Sequence, residues 1–74
     1  MTMKTEVKLG IYKHFKGGVY QVIENALDSE TLEEVVVYKS LNDGSIWVQP
    51  AYMFLEYVAR ADGPRFTYLG DPNV

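Results

Sequence analysis

The residues of this 74-residue chain whose chemistry goes beyond packing are one histidine, a Ser-Glu-Thr triplet, a Gly-Gly pair, six tyrosines, three phenylalanines and a tryptophan. His14 alone has an ordinary pKa near neutrality, so it is the first candidate for proton transfer or a pH-sensitive contact. Acid–base work also requires a partner within hydrogen-bond reach. Glu30, Glu33 and Tyr38 supply the right groups but are distant in sequence. The plainer account of His14 is a strand residue whose ring bonds a neighbouring backbone group. Ser29-Glu30-Thr31 offers hydroxyls and a carboxylate, but a turn with capping side chains accounts for the same residues. Gly17-Gly18 after Lys16 lacks the longer glycine pattern and following helix of a phosphate loop.

The aromatic residues are more informative. Tyr12, Tyr38, Trp47, Met53 and Phe54 are the set that could form an aromatic groove for an extended peptide, by analogy with small β-barrels, since flat rings give contact area at low entropic cost. Packing competes for the same rings, because a chain without cysteine needs them in its core. Trp47 and Tyr38 are the expected exceptions, with Ile46 and Val48 taking the inward positions of their strand by alternation. The expected ligand-binding set is Tyr12, His14, Glu30, Tyr38, Trp47, Pro50 and Phe54. No catalytic group and no metal ligand set are assigned, and no cofactor is expected.

These side chains are positioned by short strands. Leu9 to Phe15 alternates and reads as a first strand, and Lys16-Gly17-Gly18 reverses the chain into a second, Val19 to Leu27. Asp28 to Thr31 is a turn, or a short helix start capped by Ser29. The β-branched block Val35 to Tyr38 is a third strand. Asn42-Asp43-Gly44 is the strongest hairpin signal, returning the chain into a fourth strand, Ser45 to Gln49, which ends at Pro50. Pro50 to Met53 reads as one helical turn with proline at its start. Phe54 to Arg60 reads as strand five, and after a turn at Ala61 to Pro64 a last extended piece covers Arg65 to Leu69.

The expected class is therefore all-β: a five-stranded SH3-like barrel with one short helical turn before its last strand, by analogy of element order. Residues 1–8 are set apart as a flexible start, 9–69 as the domain and 70–74 as a tail. The competing architecture makes Ser29–Tyr38 or Pro50–Arg60 a true helix on a three-stranded sheet. In the second of these segments the apolar residues form no clean helical stripe.

A chain this short buries only about 60% of its unfolded surface. With 47% hydrophobic residues, no cysteine and one histidine, it must be held by packing, without disulfides or a structural metal. The net charge of −3 disfavours non-specific attachment to nucleic acid or anionic membranes. Met1 to Lys8 has no apolar core of a signal peptide, and no apolar run approaches the roughly 20 residues of a membrane span. The expectation is a cytoplasmic protein whose partner is a protein, a peptide or a small ligand. Nucleic acid is the alternative, and a small enzyme using His14 with a glutamate a third reading.

The segments Gly10–Val22, Asp28–Thr31, Val36–Tyr38, Trp47–Pro50 and Met53-Phe54, in that order, resemble the small bacterial domain-of-unknown-function 1653 family. The resemblance spans roughly residues 9 to 69. It implies an SH3-like barrel in a bacterial cytoplasm and no particular activity. Two positions depart from the family pattern, which usually has histidine where this chain has Asp28 and arginine where it has Gln49. At Gln49 the departure removes a cation that an anion-binding site would use.

Overall fold

The computed structural model describes residues 5–71. The strands are β1 (Gly10–His14), β2 (Val19–Leu27), β3 (Glu34–Ser40) and β4 (Ile46–Pro50). Then follow a four-residue helix α1 (Ala51–Phe54), a ribbon of β5 (Tyr57–Val58) and β6 (Gly63–Pro64) around a 3-10 turn at Ala59–Ala61, and β7 (Phe66–Gly70). The main sheet has five antiparallel strands in the order β4-β3-β2-β1-β7.

The two glycine-marked reversals are local. At the first, the Gly17 amide donates to the His14 carbonyl, and Gly17 has φ 112°, a region open to glycine and strained for other residues. Gly18 needs smallness instead, because a Cβ there would lie 2.9 Å from the Tyr20 ring. At the second, Gly44 has φ 78° and its amide donates to the Ser40 carbonyl.

Register decides the faces, since residues directly opposite on neighbouring strands share one. Tyr12 lies opposite Tyr20, Val22 opposite Tyr38, Tyr38 opposite Trp47, and His14 opposite Phe66. This face carries the core of Val7, Tyr12, Val22, Val36, Ala51, Phe54 and Phe66, with Tyr20 and Tyr38 packed against it. The Tyr38 and Phe66 rings are 5.6 Å apart, although β2 and β1 separate their strands. A flat sheet would place those strands about 14 Å apart, so the sheet is strongly curled. Irregular register between Ile11 and Tyr12 and between Val22 and Glu24 gives the bends at which such curling occurs. The curl lets Phe66 stack on Phe54 of α1 at 4.1 Å and 8°. No pairing joins β4 to β7 among the described residues, so the sheet is open, with these strands as its edges.

Several expectations are corrected. Phe54 does not begin a fifth strand. It is the buried anchor of α1, and only Tyr57–Val58 of the expected stretch is extended. The fifth strand of the sheet is β7, which pairs with β1. Neither of the longer helices of the competing architecture forms. Within 28–33 the Asp28 carboxylate, not Ser29, caps the turn, accepting the Glu30 and Thr31 amides at 2.9 and 3.1 Å. Ile46 and Val48 do not point inward: they are 55% and 62% exposed, because they share the outer face with Lys39 and Val37.

At the start of the chain, residues 1–4 lie outside the described residues, but Val7 belongs to the core. Its backbone exchanges two hydrogen bonds with the Asn25 side chain, at 2.9 and 2.8 Å, which tie this lone apolar residue to β2 without a strand ladder. At the other end Gly70 closes β7, and residues 72–74 lie outside the described residues. No helix among the described residues is long and apolar enough to cross a membrane.

Candidate functional site

The curl leaves an open cleft of about 220 Å³ lined by His14, Tyr20, Tyr38, Trp47, Gln49 and Phe66. Tyr38 and Trp47 reach it as an opposed pair on β3 and β4, and His14 and Phe66 as another on β1 and β7. Its base is a net of edge-to-face rings: Tyr20 on Tyr38 at 5.5 Å, Tyr20 on Phe66 at 5.7 Å, and Tyr38 on Phe54 at 5.6 Å. Such contacts fix ring orientation beyond what area burial alone achieves.

Trp47 forms the wall. It is 52% exposed, yet its indole Nε1–H donates to Ser45 Oγ at 2.7 Å, and Ser45 Oγ–H donates to Asp43 Oδ1 at 2.7 Å. The Ser45 hydroxyl and amide hold the Asp43 carboxyl below the usual carboxylate range, so this anchor stays ionised. An exposed ring with its orientation already set loses little freedom when a ligand covers it.

The polar groups of the cleft are weakly engaged. The Tyr38 hydroxyl donates to Gln49 Oε1 at 3.4 Å, a long hydrogen bond. Burial, and next the Tyr20 hydroxyl, push the Tyr38 phenol pKa up, so Tyr38 remains a neutral donor. His14 Nδ1 accepts the Lys16 amide at 3.1 Å, which assigns the proton of the neutral ring to Nε2. Burial, followed by the charges of Arg65 and Lys16, lowers the His14 pKa below its ordinary 6.5.

The expected site residues separate into groups. His14, Tyr38 and Trp47 converge on the cleft. Phe54 and Tyr12 are core residues, 1% and 6% exposed; Phe54 supports Tyr38 from below, and the Tyr12 hydroxyl donates to the Lys8 carbonyl. Pro50 ends β4 opposite Val35, on the other face from Trp47 and Gln49. Glu30 lies beyond the far end of β2, whose nine residues span roughly 30 Å from the hairpin that carries His14. The His14–glutamate pair is therefore not assembled, and His14 bonds no carboxylate or hydroxyl among the described residues.

Tyr20, Gln49 and Phe66 were not anticipated. Gln49 was recoverable, because it sits two residues from Trp47 on one strand and so shares its face. Phe66 was not, since its place depends on the long-range pairing of β7 with β1. Two wider depressions adjoin the cleft. One, of about 550 Å³, shares Tyr20 and Trp47 with it and runs along Gly17–Val19 and Ser40–Asp43. The other, of about 460 Å³, shares His14 and runs along Lys13, Phe15, Arg60 and Gly63. No cluster of His, Asp or Glu among the described residues is arranged to hold a metal ion.

Fold and cleft together define a small, mostly β protein, built on a curled five-stranded antiparallel sheet with an open aromatic hollow. The chain belongs to the family described as protein of unknown function DUF1653, whose model matches residues 10–68. It is similar to the crystal structure of a DUF1653 protein from Bordetella bronchiseptica, with 32% sequence identity and a TM-score of 0.80. The match covers 89% of this chain and 91% of that one. No curated protein matches the chain.

Proposed function

We propose that this protein is a non-enzymatic interaction module of SH3-like barrel type, acting in the bacterial cytoplasm, which receives an extended peptide along its aromatic face. The observation that carries this reading is Trp47, half exposed yet held by Ser45 and Asp43 beside Tyr38, Tyr20 and His14. Two depressions that share Tyr20 and Trp47 and run on from one another suit an extended ligand better than a compact one. Weakly engaged Tyr38 and Gln49 supply the few polar contacts that orient such a ligand.

The test is an NMR titration of isotope-labelled protein with a mixed peptide library at low salt, following amide and Trp47 indole signals. Shifts confined to His14, Tyr20, Tyr38, Trp47 and Gln49 are expected. Unmoved indole and Tyr38 signals across the library overturn the reading.

A further inference from the structure

We infer that the depression beside Phe15 is a phosphate site, taking the dianionic group of a phosphomonoester. Lys16 Nζ, the Arg60 guanidinium and the Arg65 guanidinium lie 5.8, 5.3 and 6.0 Å from the centroid of the single Phe15 ring. Lys13 lines the same 460 Å³ hollow, together with His14, Arg60 and Thr67.

The chain has seven basic residues and a net charge of −3, so gathering four of them at one end runs against its overall charge. Like charges held close repel, and cation–π contact offsets that only in part. Arg65 is neutralised by Glu56 at 2.5 Å, whereas Lys13, Lys16 and Arg60 form no ion pair with a described carboxylate.

Charge and size select the ligand. A phosphomonoester carries about −1.5 to −2 at neutral pH, which matches these unpaired cations, and a single carboxylate would leave them largely uncompensated. Arg60 provides a planar fork for two phosphate oxygens, and Lys16 and Lys13 add point charges. The hollow has room for the phosphate and part of the group that bears it.

The site stands apart from the peptide reading, and the experiment keeps them separate. Labelled protein is titrated with inorganic phosphate at low, constant ionic strength, with acetate as the matched control. Phosphate is expected to move the amides of Lys13–Gly17 and Arg60–Gly63 and the Arg60 Nε–H signal, leaving the Trp47 indole in place. Arg60→Ala weakens binding about tenfold, Arg60→Lys restores part of it, and Lys39→Ala, away from the hollow, has no effect. O-phosphoserine and a nucleoside 5′-monophosphate are the further arms, and the tighter of the two names the source of the phosphate. Equal shifts with acetate, or none with phosphate in a protein whose spectrum is otherwise native, overturn the proposal.

Discussion

The two edge strands of the sheet have similar length and opposite duties. On β7, Phe66 is buried and stacked on Phe54, so this strand completes the core across the curl. On β4, Ile46, Trp47 and Val48 are all more than half exposed, and no residue of the strand is fully buried. Packing explains Phe66, and Leu69 of β7 is a single residue more than half exposed, whereas the run of three exposed apolar residues on β4 is left unexplained by packing. An exposed apolar edge strand costs a protein solubility, and a surface that recognises a partner is the reason we give for it.

The contrast is tested most severely by removing one apolar side chain from each edge. Phe66→Ala is expected to cost about 3–5 kcal/mol, most of the stability available to a chain of this size, whereas Val48→Ala stays within about 0.5 kcal/mol. Urea denaturation of both variants measures the difference. Equal losses would mean that β4 is a core strand after all.

Next in size is Trp47→Ala, which is expected to weaken peptide binding by about 2 kcal/mol or more, as for aromatic anchors generally. Its stability should change by less than about 1 kcal/mol. Calorimetric titration alongside thermal melting separates these effects, and a variant that loses stability while its folded form keeps its affinity for the peptide would reverse the assignment. Ser45→Ala sharpens the point, since it releases the indole without removing it. Affinity should fall by about 1 kcal/mol, with little change in the melting temperature.

The smallest effect concerns His14, which faces Phe66 across the β1–β7 pair. Its folded pKa lies below its unfolded value of 6.5, chiefly through burial and then through Arg65 and Lys16. In that window the unfolded chain binds more protons, so stability is full above pH 6.5 and declines as pH falls through the folded pKa. Thermal midpoints measured across this range should drop slightly for the native chain and stay flatter for His14→Gln. A midpoint that rises on acidification would contradict the environment described for His14.

What was legible in the sequence was local. Gly17 and Asp43-Gly44 mark reversals because they meet backbone demands within a few residues, and the strands that they join are where alternation puts them. Alternation also set Tyr38 and Trp47 apart as the rings expected outside the core, and both line the cleft. It could not say which face was inside, so Ile46 and Val48 were placed inward although β4 lies on an edge. The extended piece that becomes β7 was legible, but its pairing with β1 was hidden, because a short piece after a Gly-Pro turn carries no sign of which strand it joins. Val7 was hidden because one apolar residue among charges makes no pattern. Glu30 was brought too near because sequence spacing says nothing of distance along a nine-residue strand.

The hydrogen-bond chain from Asp43 through Ser45 to Trp47 also has an optical consequence. The chain's one tryptophan is half exposed in the folded protein, so its emission should move little when the protein unfolds. A ligand that settles against it displaces water from an indole of fixed orientation, and emission should then shift to shorter wavelength. In this protein the intrinsic fluorophore reports occupancy of the cleft far better than it reports folding.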